Sequence, residues 1–380
     1  MKDGVAIIGV GQTAYLPQRP EEILDEMVFE AASRALVDAG LERRQIDSIV
    51  IAAGDEIDGR PISSMLEACP AGAYLKDEIK VTEEGSYAVI LGALRILSGV
   101  FETALVVSWS KCSEAPVTQV TNYSAEPFFS RSCSLNYITA EAMQVSAYQA
   151  KHGLATRAAA RVVTKNRKNA LRNRLSCIRK PLYLEEVLYS NVIATPIRTL
   201  DLAPLCDGAC ALVLASAEKA RELSDKPVWI KGMGWASDTY YLGERDLTSI
   251  SSLGKASQRA YALAGIANPL EDIDVAEIHD ISSYRELMTY EALGFCREGQ
   301  ASTFMEEGTT EINGKLPVNP SGGCLSGNPF FAAGLVRVAE ATLQIRGDAG
   351  SHQVPGAKTA LAQGSYGFCG QGNSVFILGK

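Results

Sequence analysis

"RALVDAGLERRQIDSIVIAAGD", residues 34–55, reads as the end of a helix closed by Ala-Gly, a short polar loop, an Ile-Asp step and a strand. The same order of signals returns in "RAYALAGIANPLEDIDVAEIHD", residues 259–280. In each copy the glycine suits the left-handed position just past a helix C-terminus. The strands ahead of the two copies also correspond, "VAIIGVGQT" at 5–13 and "VWIKGMGWAS" at 228–237. A repeat of this kind divides the chain into two related α/β halves, 1–225 and 226–380. Behind each copy comes a glycine turn that opens a helix: "TEEGSYAVILGALRILSG" at 82–99 and "LSGNPFFAAGLVRVAEATLQIRG" at 325–347. Equivalent turns related by a pseudo-two-fold axis can converge on one central site.

Between the halves lies an inserted region at about 112–200. The net charge of −8 argues against a general nucleic-acid binder. No uninterrupted apolar run reaches membrane-spanning length. The start, "MKDGVAIIGVGQ", lacks the apolar region and cleavage site of a secretory leader, so a cytoplasmic protein is expected. The nine cysteines are scattered, with no CxxC pair or zinc spacing. They read as small buried apolar residues, without disulfides and without a metal. Gly9, Gly11 and Ala14 form a partial Gly-x-Gly-x-x-Ala after the first strand. A dinucleotide site needs a helix to open at that turn. Here Pro17 and Pro20 intervene, and the helix is expected only near Glu21.

A duplicated α/β chain with an insertion between its halves resembles the thiolase superfamily, most closely its sterol-carrier-type and archaeal "lipid-transfer" branch. The stretches that carry the resemblance are "VAIIGVGQTAY" (5–15), "LDLAPLCDGACALVLAS" (200–216), "VAEIHDISSYRELMTYEALGFCREGQ" (275–300), "EEGTTEINGKLPVNPSGG" (306–323) and "QIRGDAGSHQVPGAKTAL" (344–361). They run in the family's order over nearly the whole chain. The resemblance implies a five-layer αβαβα fold of two duplicated halves. It also implies a dimer and an acyl thioester of coenzyme A as substrate, with no covalently bound cofactor.

It further implies four catalytic places. The first is a nucleophilic cysteine at the start of the first-half helix, where helix dipole and N–H groups lower a thiol pKa and face an oxyanion. Matching Gly85 to the family glycine puts Thr82 there, followed by Glu83 and Glu84. Those carboxylates favour the helix start but oppose a thiolate or oxyanion nearby. The second is the family's His-Asp-x-Phe, here His279-Asp280-Ile281-Ser282, with the histidine kept and the aromatic absent. The third is Gly-His-Pro, here Gly327-Asn328-Pro329. Asn328 can donate a hydrogen bond to an oxyanion but cannot do acid–base work. The fourth is a cysteine in the C-terminal glycine loop, where Cys369, Gly370 and the nearby Tyr366 stand. In the insert, Arg167, Lys168 and Arg172 belong to a basic run that reads either as a solvated helix face or as a contact for coenzyme A phosphates. Its aromatics Tyr123, Phe128, Phe129 and Tyr137 suit a bulky acyl chain or equally a dimer interface.

Three readings follow. The chain makes or breaks a C–C bond beside the thioester without the usual cysteine. A retro-aldol needs only a base and an oxyanion site, with His279, Tyr284, Tyr366, Glu83 and Glu84 as candidate bases. Relatives of this kind and of aromatic catabolism pair with a small zinc-ribbon/OB-fold subunit, so such a partner is expected. In the second reading Cys369 or Cys324 restores a cysteine mechanism and an acyltransferase. In the third the chain is a degenerate binding or scaffold subunit of an active thiolase homologue.

Overall fold

The protein is described from a computed structural model covering residues 4–153 and 156–380. Residues 1–3, part of the stretch read above for a leader, lie outside it. Nine strands form one mixed sheet: β1 (Val5–Gln12), β2 (Ser48–Ala52), β3 (Asp77–Val81), β4 (Thr103–Lys111), β5 (Asp207–Ser216), β6 (Val228–Ser237), β7 (Val275–Glu277), β8 (Thr359–Tyr366) and β9 (Gly372–Gly379). Their order is β3-β2-β4-β5-β1-β6-β9-β8-β7. From the central antiparallel β1–β6 pair outward, both halves run through the same succession of antiparallel and then parallel neighbours. The first half ends on β3, parallel to β2. In the second half the equivalent of β3 has shrunk to Val318, which bridges Ala276 in parallel.

The helices of the repeat fall where the glycines put them. Helix α1 (Leu24–Ala39) ends at Gly40 with φ 67°. Its counterpart, α5 (Ser251–Ala264), ends at Gly265 with φ 74°. Helix α1 begins at Leu24 rather than near Glu21, because residues 21–22 still belong to a turn. Helices α1 and α5 cover the outer faces of the two half-sheets, while α2 (Gly85–Leu97) and α7 (Ala333–Arg346) pack between them. Along β1, Ile7 points into the central core and Ala6 and Ile8 into the outer one. Both faces of these strands are buried, which is why they read as unbroken apolar runs. Two further helices of the insert, α3 (Tyr137–His152) and α4 (Thr156–Ala170), pack over the second half with α6 (Ser283–Ala292). No helix among the described residues is long and apolar enough to cross a membrane.

The Gly-x-Gly pair of the first strand has a packing role. A Cβ at Gly11 would overlap the Ala31 carbonyl of α1, and one at Gly9 the Ala35 carbonyl. In the second half Gly234 and Gly232 stand in the same way against Ala256 and Ala260 of α5. Bare backbone here lets each outer helix lie directly on its strand. Gly11→Ala and Gly234→Ala should each destabilise the protein by about 1–3 kcal/mol through overpacking. Gly243→Ala, with open space around it, should stay within about 0.5 kcal/mol. Denaturant midpoints check this; equal midpoints for the three variants would remove the packing argument.

Candidate active site

The starts of α2 and α7, the end of β7 and the turn between β8 and β9 meet around a cavity of about 460 Å³. Its wall contains Thr82, Glu83, Glu84, His279, Tyr366, Cys369 and Gly370 from the sequence reading. It also contains Glu141, Arg285, Phe330, Phe331 and Gln371, which that reading did not single out. Tyr137 of the insert lines it too, whereas Tyr123, Phe128 and Phe129 are exposed.

The first-half turn places its residues differently from the sequence match. Thr82 is exposed, and its N–H is taken by the Glu83 carboxylate at 3.1 Å. The residue that caps α2 is Glu84, which accepts the Ser86 N–H at 2.9 Å and the Ser86 hydroxyl. Its carboxyl lies where a Cβ on Gly334 of α7 or on Gly364 of β8 would collide with it. A helix N-terminus normally lowers a carboxyl pKa. Burial outweighs the Ser86 and Gly334 N–H groups here and pushes Glu84 up to about 8. Glu84 is therefore mostly a neutral acid at pH 7.

His279 follows β7 and is held by its backbone N–H, which donates to Gln363 Oε1 at 2.8 Å. Neither ring nitrogen has a hydrogen-bond partner, and the Ser365 main chain beside the ring lies outside bonding geometry. Burial first, then Arg337 and Arg285, lower its pKa to about 3, so the ring is neutral. A neutral imidazole can donate one N–H to a substrate oxygen. Asp280 turns away from the cavity. It accepts the Cys324 N–H at 2.6 Å and the Leu325 N–H at 3.2 Å, and the Asn166 amide at 2.8 Å.

That contact shapes the second glycine turn. Residues 324–326 and 330–332 form single 3₁₀ turns, and α7 begins only at Ala333. Gly327 packs on Cys177, where a Cβ would sit 2.5 Å from that of the cysteine. Asn328 is held by its backbone: its N–H donates to Pro204 O at 2.8 Å and its carbonyl accepts from Cys206 at 3.1 Å. Its carboxamide is buried, both polar atoms lack a partner, and it does not line the cavity.

Cys369 is in the wall with φ 55°, and its thiol donates to the Ala140 carbonyl at 3.1 Å. Burial pushes it up to about 12, against the pull of Arg285 and Arg245. Cys324 is buried outside the cavity, and burial with Asp280 raises it well above the ordinary thiol value. Neither is a thiolate at neutral pH. Tyr366 is half-buried, and its hydroxyl shares a 2.9 Å hydrogen bond with Ser237. Tyr284 is fully buried elsewhere, pushed up to about 12 by burial.

The basic run is split by α4. Lys165 is completely buried and donates to Glu286 at 2.6 Å and to the Val318 carbonyl at 3.0 Å. Arg167 is buried near Cys177, Lys168 is exposed 3.8 Å from Glu311, and Arg172 is exposed. None of Arg167, Lys168 and Arg172 lines the cavity. All nine cysteines are free, five of them buried. Among the described residues no group of three or more His, Cys, Asp or Glu side chains could hold a metal ion.

The family model described as thiolase C-terminal domain-like matches residues 234–380. An acetyl-CoA acetyltransferase of Methanothermobacter thermautotrophicus is 32% identical over 375 residues, 95% of either chain. Rabbit (Oryctolagus cuniculus) sterol carrier protein 2 is 31% identical over 94% of this chain and 69% of its own length. Among solved structures, an Ltp2–ChsH2(DUF35) aldolase superposes with a TM-score of 0.85 at 26% identity, over 99% of this chain and 97% of that one. The fold is that of a thiolase-like protein. The chain belongs to the thiolase superfamily, in the branch of the sterol-carrier-type thiolases and archaeal acetyl-CoA acetyltransferases.

The protonation of Glu84 has a measurable consequence. An acid raised from 4.5 to about 8 on folding gives a contribution that is full below about pH 4.5. It is lost progressively up to about pH 8, as the unfolded chain ionises first. Glu84→Gln removes that loss. The melting temperature of the variant relative to wild type should rise from pH 4.5 to 8 and then level. Parallel curves would mean that the folded carboxyl is already ionised.

Proposed function

We propose that the cavity binds a coenzyme A thioester and that the protein makes or breaks the carbon–carbon bond beside it without an acyl-enzyme, as in a retro-aldol cleavage. The observation that carries this is the carboxyl of Glu84 at the start of α2, in a wall whose one cysteine, Cys369, is a buried neutral thiol. The likeness to an aldolase along essentially the whole chain supports it. In this reading Thr82 and Asn328 stand in place of the family's cysteine and histidine. Arg167, Lys168 and Arg172 are left as candidates for the coenzyme A end, outside the cavity.

The chemistry balances with groups in the wall. A base takes the proton of a β-hydroxyl, and the Cα–Cβ bond breaks. A carbonyl compound leaves, and the electron pair becomes the thioester enolate, which is protonated at Cα. Tyr366, hydrogen-bonded to Ser237, is our candidate for the β-hydroxyl proton. His279, neutral and unpartnered, donates to the thioester oxygen, where charge develops. Glu84, protonated at neutral pH, gives its own proton to Cα, and the proton taken up by Tyr366 passes on to Glu84 to reset both groups. The aldolase named above is an assembly with a DUF35 protein. We infer a similar small second subunit, of the zinc-ribbon/OB-fold kind, for this chain.

Turnover of a β-hydroxyacyl-CoA should release the shortened thioester and a carbonyl product, with no acyl adduct on any cysteine by intact-protein mass spectrometry. An adduct would instead place the protein among cysteine acyltransferases. His279→Ala should lower kcat by about 10²–10³, and Tyr366→Phe by about 10²–10⁴. Unchanged kinetics in either variant would strike that residue from the mechanism.

A further inference from the structure

Arg285 lies on α6, six residues beyond His279, and only 3% of it is exposed. Its Nε donates to Glu141 Oε1 at 3.2 Å and its Nη2 to Glu141 Oε2. The Ser282 hydroxyl, at the position of the missing family aromatic, donates to the same carboxylate at 2.7 Å. Glu141 is thereby saturated on the side of Nε and Nη2. The third nitrogen, Nη1, has no partner.

A buried guanidinium nitrogen without an acceptor is costly, since both of its N–H groups have left water. Native interiors satisfy such groups, and an exception asks for an explanation. The residue stands in the cavity wall, as do Glu141 and Gly370, with Nη1 itself just beneath the surface. Gly370 has φ 59°, and a Cβ there would lie 2.5 Å from Nη1. Glycine is what keeps a side chain off this nitrogen.

The charge around it is also uneven. Arg245 gives Nη1 to the Phe368 carbonyl at 2.8 Å and Nη2 to the Cys369 carbonyl at 2.7 Å, and makes no ion pair among the described residues. Asp238, the acid that acts on it, accepts from Ser251 and Ser252 at the start of α5. Glu141 is the one carboxylate in contact with either guanidinium.

We propose that the cavity takes an acyl group bearing a carboxylate, and that Arg285 Nη1 is the donor that selects it. The proposal rests on the reading of the ligand as a coenzyme A thioester. A carboxylate completes the guanidinium in a way a methyl end cannot. The phosphates of coenzyme A offer the same anionic oxygen, so the test separates the two sources.

The full chain, in whatever complex it purifies, is titrated calorimetrically with succinyl-, glutaryl- and adipoyl-CoA. Each is paired with the alkanoyl thioester of the same length, and free coenzyme A is the reference. Wild type should bind the best-fitting carboxylate thioester at least about tenfold more tightly than its pair. Arg285→Lys keeps the charge that faces Glu141 but has no second nitrogen. It should bring that ratio near one and leave the alkanoyl thioesters and coenzyme A unchanged. Should this variant fold poorly, the neutral pair Glu141→Gln with Arg285→Gln takes its place.

No preference in wild type, or the same preference in the variant, overturns the proposal. So does an equal loss for all ligands, which assigns the nitrogen to a phosphate. If no coenzyme A compound binds, it is the thioester reading that fails. Free glutarate should then still raise the melting temperature of wild type and not of Arg285→Lys; the absence of that difference overturns the Arg285 assignment as well.

Discussion

The two halves of the protein close on one carboxyl group. Glu84 caps α2 of the first half, and its oxygens lie against Gly334 of α7 and Gly364 of β8, both in the second. A side chain at either glycine would occupy the place of the carboxyl. The central layer thus closes with Glu84 between its helices, and the desolvation of that acid is a consequence of the fold. What burial does to the group also bears on the proposed chemistry: a carboxylic acid that keeps its proton near neutrality has one to donate.

The pseudo-symmetry is strict where packing demands it and relaxed where the site is built. Gly9 and Gly11 against α1 are repeated by Gly232 and Gly234 against α5, because each outer helix must approach its strand to backbone contact. The third strand is not repeated. In the second half a single bridging residue, Val318, remains. The chain after it is held by side chains: Asp280 takes two N–H groups of the glycine turn, and Asn319 is fixed by Ile278 N–H and Glu286. Lys165 and Asn166 of the insert join the same buried network. The insert thus supports the second-half turn from behind, which accounts for strongly polar residues inside α4.

This division explains what the sequence could disclose. The helix-ending glycines and the doubled strand-helix-strand order are local and repeat themselves, so the thiolase-like α/β fold and the family were legible. The place of His279, Tyr366 and Cys369 in the cavity wall was legible because they stand at or just after strand ends. Glu84 was legible as a carboxylate at the helix start; its burial was not, because the glycines that enclose it, Gly334 and Gly364, lie far along the chain. Arg285 was hidden in a different way. On α6 it reads as one more charged helical residue, and its neighbour Glu141 is 144 positions away. The one local hint was Ser282 where an aromatic was expected, since a small polar residue there leaves room for an ion pair. The basic run stayed open between two readings for the same reason in reverse, because the partners of Lys165, Glu286 and Val318, lie far along the chain.

The cavity is therefore charged in an unusual pattern for acyl transfer. Its histidine and its thiol are neutral and Glu84 holds a proton, while Arg285 is paired with Glu141 and the side chains of Asp55, Glu56 and Glu83 also stand in the wall. Covalent catalysis by cysteine begins from an anion, and at Cys369 burial outweighs the pull of Arg285 and Arg245. Cleavage through an enolate asks instead for donors that meet charge as it appears on oxygen. In a site of low polarity those donors act most strongly. In the proposed reaction His279 and Glu84 meet that demand, each for a reason of burial. That shared cause ties the chemistry to the packing of the two halves.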